Sequence, residues 1–348
     1  MPKQPTTKPI SLALQGGGAH GAYAWGVLDR LLEEEDIDIE GVSGTSAGAM
    51  NAAVMVNGYA TGGRQGAREK LEQFWHKVSE VAGNPMNTAA FEQFLGNWNL
   101  SLSPMHHMMD LWTSMVSPYD TNPLNINPLK DVLEEVLEVD ALRACDTMKL
   151  FISATHVKSG QVRVFNTAEM SVDVLLASAC LPQMFQAVEI EGEHYWDGGY
   201  MGNPAIHPLI YHCDTADMVL VQITPIYRDD VPKQPIDITN RVNEINFNSS
   251  LIAEMRAIDF VKRLIKDGKL EEGAYKDMRV HRIYDPASFA ELNASSKMNP
   301  SLEFFEHLKA LGRSSCAHWI NEHKKHIGKK STVDIRDIFL CGTGMSSD

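Results

Sequence analysis

The chain has 348 residues, with 31 Lys and Arg against 45 Asp and Glu, a formal net charge of −14. Hydrophobic residues make up 44% and charged residues 22%, which excludes a disordered chain, and the acidic balance excludes nucleic-acid binding over the whole surface. The length leaves one large α/β domain or two smaller domains open, and either buries a sizeable core.

Along the chain, Met1 to Pro9 is polar and lacks the apolar region of a secretory signal. The most apolar stretch, Ala47 to Val56, is far short of the roughly 20 residues that a bilayer span takes. Five scattered cysteines (Cys145, Cys180, Cys213, Cys316 and Cys341) form no C-x-x-C pair and read as free thiols in a reducing compartment. The expectation is a soluble cytoplasmic protein.

Ile10 to Leu14 is a short apolar run and predicts a strand. Gly16-Gly-Gly-Ala-His-Gly21 follows as a tight turn, and Ala22, Trp25, Leu28, Leu31 and Leu32 then recur at helical spacing. Ile37 to Val42 predicts a second strand, turned by Gly44-Thr-Ser-Ala-Gly48 into a helix from Ala47 to about Val56. This β–α–β–α order predicts a parallel sheet. From Gly58 to Asn127 the sequence is rich in Asn and Met, with turn signals at Gly62-Gly63, Asn84-Pro85, Ser103-Pro104 and Ser117-Pro118, and reads as a loop-rich insertion with short helices. Leu129 to Val139 is an amphipathic helix, Lys149 to Val157 and Gln161 to Phe165 a hairpin, and Val172 to Ser178 a helix. Val188 to Trp196 is a second hairpin around Glu191-Gly192, leading into Asp197-Gly-Gly199. Met218 to Thr224 is an apolar strand, Asn240 to Ile265 a long helix, Arg279 to Tyr284 a last strand, and Leu302 to Ile327 a helical tail.

Two glycine motifs carry chemistry. Gly16-x-Gly18-x-x-Gly21, after a strand and before a helix, sits where a dinucleotide-binding loop is expected, with Glu40 nineteen residues on as a ribose-binding acid. On that reading the protein is an oxidoreductase. Gly44-x-Ser46-x-Gly48, at a strand-to-helix turn, instead suits a nucleophile elbow that exposes the Ser46 hydroxyl at a helix N-terminus. Both turns follow strands of one parallel sheet and so share an edge, where the Gly17 and Gly18 N–H groups suit an oxyanion formed at Ser46. His207, His212, His281 and His318 stand on no distinctive turn and read as surface or packing residues rather than as a base. Asp197, ending an apolar strand before two glycines, is the other candidate.

Three blocks in order, Gly16-Gly-Gly-Ala-His-Gly21, Gly44-Thr-Ser-Ala-Gly48 and Asp197-Gly198-Gly199, resemble those of the patatin-like lipid acyl hydrolases. Ala177-Ser-Ala-Cys-Leu-Pro182 and Asn203-Pro204 support the resemblance, which spans roughly Ile10 to Thr224. It implies a three-layer α/β/α fold with a mainly parallel central sheet. It also implies hydrolysis of esters in phospholipids, lysophospholipids or related acyl lipids without a cofactor. By the same resemblance, a Ser–Asp dyad places the nucleophile at Ser46 and the base at Asp197, with an oxyanion hole at Gly17 and Gly18. One position departs: where the family often has Arg or Lys in the glycine block, this chain has His20. An auxiliary role for His20 on an oxyanion or phosphate then requires a protonated ring, and an unperturbed imidazole (pKa ~6.5) is mostly neutral at pH 7.

The expected organisation is a catalytic domain over 8–285, with the Met-rich insertion at about 58–127, and a helical C-terminal extension over 286–348; the Asn240–Ile265 helix and the Ser295-Ser-Lys-Met-Asn299 and Phe304–Trp319 stretches resemble an extension of some bacterial members of the family. Burial beside Trp196 is expected to raise the Asp197 pKa. The insertion, with Phe91, Phe94, Trp98, Met108, Met109 and Trp112, either packs over the sheet or is the candidate surface for acyl-lipid and transient membrane contact, with Trp98 or Trp112 then lining the acyl site. The basic cluster His323-Lys-Lys-His326, with Lys329 and Lys330, reads as a helix C-terminus or a contact for anionic headgroups. His106-His107 and His323-x-x-His326 lack a matching ligand set, so no metal is expected, nor any nucleic acid or partner protein. A lipid-binding module on the same fold, without turnover, is the third reading.

Overall fold

In a computed structural model the described residues are 7–82, 117–271, 273, 275–292 and 295–341. The strands are β1 (Lys8–Leu14), β2 (Ile37–Gly44), β3 (Lys149–His156), β4 (Val162–Asn166), β5 (Val188–Ile190), β6 (Glu193–Asp197), β7 (Asp217–Val221) and β8 (Arg279–Ile283). They form one sheet in the order β5-β6-β3-β2-β1-β7-β8, with β4 also paired to β3. β3, β2, β1, β7 and β8 run parallel, while β4 and β6 run antiparallel to β3. The sheet is therefore mixed and mostly parallel, as expected.

Helices cover both faces. They are α1 (Gly21–Leu31), α2 (Ala47–Ala82), α3 (Pro118–Thr121), α4 (Pro128–Val136), α5 (Val139–Arg143), α6 (Val172–Ser178), α7 (His207–His212), α8 (Pro235–Lys266), α9 (Pro286–Glu291) and α10 (Leu302–His323). Strand alternation sorts the core into two layers. Leu12, Leu14, Val219 and Val221 belong to the core shared with α1, α2, α6 and α10. Ala13, Met218 and Leu220 belong to the core shared with α7 and α8. Strands buried on both faces explain the unbroken apolar run at β7.

The helix expected to end near Val56 runs on to the non-helical backbone at Gly62 and Gly63, and a second helical arm follows it to Ala82. The Gly62-Gly63 turn signal thus marks a kink within the helical path. Gly58 and Gly66 let its two arms touch, since a Cβ on Gly58 would lie 2.5 Å from the Gly66 carbonyl oxygen. The second arm buries Ala67, Leu71, Phe74 and Trp75, so residues 64–82 are a helix packed on the core rather than loop. The rest of the expected insertion up to residue 116, including Phe91, Phe94, Trp98, Met108, Met109 and Trp112, lies outside the described residues.

The tail is joined to the first half of the chain. α10 crosses α1 so closely that a Cβ on Gly26 would run into the Lys309 carbonyl, and one on Gly312 into the Tyr23 carbonyl. Phe304, Phe305, Leu308 and Trp319 are buried in the same core as α1. In the basic cluster, Lys324 is paired with Glu34 and Asp36. The five cysteines are free thiols. No helix among the described residues is long and apolar enough to cross a membrane.

Candidate active site

The site is built at the carboxyl ends of β1 and β2, where consecutive strand-to-helix turns lie side by side. Ser46 follows β2 and precedes α2 with φ 53°, a left-handed conformation that is strained for a residue with a Cβ. Its N–H donates to Ser178 Oγ at 2.9 Å. Glycine is required beside it, because a Cβ on Gly16 would lie 2.6 Å from the Thr45 carbonyl oxygen and 2.7 Å from Ser46 Cβ. Gly44 and Gly48 are equally confined, the first by the Gly48 backbone and the second by the Leu14 carbonyl. Gly21 meets Ala47, which brings the start of α1 against the start of α2.

The glycine loop is pinned from two sides. Gly16 N–H donates to Asn203 Oδ1 at 2.7 Å. Gln15 Oε1 accepts from Ile223 N–H and Thr224 N–H, each at 2.9 Å, tying the loop to the end of β7. The Gly17 and Gly18 N–H groups make no hydrogen bond to another described residue, and both glycines line the cavity beside Ser46.

Sheet register brings Asp197 to Ser46. Gly44 of β2 pairs with Ile152 of β3, and two residues on, Ala154 pairs with Asp197 of β6. The two turns are stitched by Thr45 Oγ1, 2.5 Å from Ser153 Oγ and 2.6 Å from the Gly202 carbonyl oxygen. Asp197 Oδ1 accepts from Gly199 N–H at 2.6 Å, and the Asp197 N–H donates to the Cys180 carbonyl at 2.8 Å. Gly198 packs on the Ser153 carbonyl, and a Cβ on Gly199 would lie 2.5 Å from the Phe247 ring.

Asp197 is buried, and burial lifts its carboxyl pKa to about 6, against the opposing pull of the Gly199 N–H and of the Ser46 hydroxyl, which interacts with it. Burial was expected; the partner of Gly199 at this point is Phe247 of α8, while Trp196 is half-buried on the neighbouring strand position.

Ser46, Asp197 and the Gly16–Ala19 loop open onto a cavity of about 350 Å³. Its walls are mostly apolar, with Met50, Phe74, Trp75, Leu181, Met184 and Phe305 among them, which suits an acyl chain. Among the described residues no histidine lines it. His281, for example, is fully buried between Asp217 (3.1 Å) and Thr332 (3.0 Å), as a packing residue.

His20 does not face the cavity. Its Nε2 is 2.7 Å from Ser296 Oγ, and its ring packs against Phe289 and Phe304. Burial, with the nearby charges of Lys297 and Arg228, pushes its pKa well below the usual imidazole range. The ring is neutral at pH 7. Glu40, the acid sought for a ribose, is likewise committed: its carboxylate accepts from Thr215 N–H at 2.8 Å and from Asp214 N–H, and it pairs with Lys149. The dinucleotide reading therefore loses its acid.

Several site residues escaped the sequence reading. Asn203 and Ser178 sat inside recognised blocks without a role, and Gln15 immediately precedes the glycine block. Phe247 and Lys297 come from α8 and from residues 295–298, where nothing in the local pattern signals a site.

A family described as "Patatin-like phospholipase" matches this chain over residues 12–210. Among solved structures, VipD from Legionella pneumophila is similar at 12% identity and a TM-score of 0.42, over 97% of this chain and 73% of that one. The type III effector ExoU is similar at 15% identity and a TM-score of 0.32, over 91% of this chain and 53% of that one. ExoU from Pseudomonas aeruginosa, in its complex with SpcU, gives 13% identity and a TM-score of 0.28, over 97% and 77%. No curated protein matches significantly.

Proposed function

The chain belongs to the patatin-like phospholipase family, and from that premise we propose that it is a serine-dependent lipid acyl hydrolase working through a Ser46–Asp197 dyad. The observation that carries this reading is the meeting of a strained, cavity-facing Ser46 with a buried Asp197 at the mouth of an apolar cavity.

Asp197 takes the proton from the Ser46 hydroxyl as its oxygen attacks the ester carbonyl. The Gly17 and Gly18 N–H groups receive the oxyanion, and such a donor is typically worth about 10²–10³ in turnover. The alcohol leaves as the acyl-serine forms, taking the proton from Asp197. Water then attacks the acyl-serine with Asp197 as base again, releasing the fatty acid. A pKa near 6 serves this cycle better than an ordinary carboxyl, because the group is ionised at pH 7 yet more basic. The substrates are phospholipids, lysophospholipids or related acyl esters, whose chains the apolar wall accommodates.

Hydrolysis of a panel of defined lipids by the wild-type protein and by Ser46→Ala tests this. Ester cleavage lost in the variant supports it; lipid binding with no cleavage in either protein favours the binding-module reading.

A further inference from the structure

The cavity holds one feature that the dyad does not use. Lys297 lies in a short turn (Ser295–Met298) far along the chain from the glycine loop, yet it lines the same cavity as Ser46 and Asp197, and its ammonium stands near Phe247, another lining residue. Its backbone is locked to the loop: the Lys297 carbonyl occupies the space that a Cβ on Gly18 would need, and Gly18 has φ 58°. Upstream of the turn, Arg228 anchors the end of α9. That side chain pairs with Glu244 at 2.6 Å and donates to the carbonyls of Ala290 at 2.8 Å and Leu292 at 3.0 Å.

The Lys297 ammonium has no ion-pair partner among the described residues. Its recorded neighbour is the face of Phe247, 5.7 Å from the ring centre. Of the charges around it, Glu244 is neutralised by both Arg228 and Arg241, and Asp197 is the buried carboxyl of the dyad. Burial pushes the Lys297 pKa down. The glycine loop supplies no cation of its own, since His20 is neutral and turned into the core. Asp197 shares the cavity with this ammonium, but its carboxylate is committed to the Gly199 N–H and the Ser46 hydroxyl, so the Lys297 ammonium keeps donors free for a second anion.

We propose that Lys297 is a specificity-determining residue that binds the phosphate of a phospholipid headgroup, seating the ester carbonyl of the same molecule over Ser46. In a glycerophospholipid the phosphate and the acyl esters hang from one glycerol, only a few bonds apart. One molecule therefore reaches the ammonium, the Gly17–Gly18 N–H groups and the apolar wall together. A charge-assisted hydrogen bond made in a half-buried site gives the phosphate-bearing lipid its advantage over an uncharged ester. The inference rests on the acyl-hydrolase reading for its kinetic consequence, but the binding itself does not depend on turnover.

The test compares dihexanoylphosphatidylglycerol with dihexanoylglycerol in the wild type, Lys297→Met and Lys297→Arg. The ratio of kcat/KM for the phospholipid over the uncharged ester is expected to fall about tenfold or more in Lys297→Met and to recover largely in Lys297→Arg. An equal fall on both substrates overturns the proposal, because Lys297 would then act through Asp197 or the fold. Calorimetric binding of the same phospholipid to Ser46→Ala, with and without Lys297→Met, gives a second reading. Weaker binding on loss of the ammonium supports the proposal even if the wild type cleaves no ester, an outcome that would refute only the hydrolase. Unchanged binding overturns it. Inorganic phosphate should bind far more weakly than the lipid; phosphate binding as tight as the lipid's would mark a free-phosphate site and overturn the headgroup assignment.

Discussion

Asn203 Oδ1 accepts the Gly16 N–H at 2.7 Å, so a residue six positions past Asp197 holds the start of the glycine loop. Asn203 thus couples the two halves of the candidate site: its backbone follows the Asp197 turn and its side chain sets the loop that faces Ser46. Asn203→Ala leaves a buried N–H unsatisfied. It is expected to cost about 1–3 kcal/mol of stability in urea unfolding and to lower ester hydrolysis as the loop loosens.

On the proposed dyad, Asp197 links activity to pH. Its pKa is raised from 3.8 to about 6 in the folded protein, so the folded state binds more protons than the unfolded one between these values. Burial of this carboxylate therefore lowers stability as pH rises from about 4 to about 6, and the cost is fully present above that. Asp197→Asn should be more stable than the wild type at pH 8, by about 1–3 kcal/mol, and should lose that advantage near pH 4. The same variant should lose at least two orders of magnitude in ester hydrolysis. In the wild type, kcat/KM should rise with pH through a midpoint near 6 as the base ionises.

His20→Lys asks what the glycine block tolerates. The native ring sits between Phe289 and Phe304 and bonds Ser296. A lysine there buries an ammonium among rings, and the expected cost of roughly 3–5 kcal/mol would appear as a large drop in urea midpoint. A stable His20→Lys protein with its ammonium in the cavity would contradict the placement of this side chain.

The joint between α1 and α10 is the most confined packing between the first and last parts of the chain. Gly312→Leu drives a side chain into the Tyr23 carbonyl at the crossing with Gly26. The expected loss is at least about 3 kcal/mol, and because α1 begins at the glycine loop, hydrolysis should fall with it. Thermal unfolding and ester hydrolysis, measured side by side, check both.

What was legible in the sequence was local. Glycine-dependent turns after apolar strands announced the loop at Gly16–Gly21, the elbow at Ser46 and the turn at Asp197, because their chemistry is written in neighbouring residues. The meeting of Ser46 with Asp197 depends on β2–β3 and β3–β6 register, which pairs Gly44 with Ile152 and Ala154 with Asp197, residues distant in the chain, and leaves no local mark. The Gly62-Gly63 signal marks the break between the two arms of α2, while the buried helical second arm that follows it carries no local mark against a loop. His20 looked like a basic position of the loop, and only the surrounding Phe289, Phe304 and Ser296, from the far end of the chain, reveal it as a neutral core residue. Lys297 stands in a stretch whose resemblance to a bacterial extension implies no role, since its place in the cavity follows from the packing of residues 295–298 on Gly18.

The central claim is that Ser46 is the nucleophile, and covalent labelling with a fluorophosphonate probe, read by intact-protein mass, tests it most directly. The wild type should gain a single adduct, mapped to Ser46, with Ser46→Ala folded and unlabelled. Equal labelling of Ser46→Ala, or an adduct mapped to another residue, would contradict the dyad.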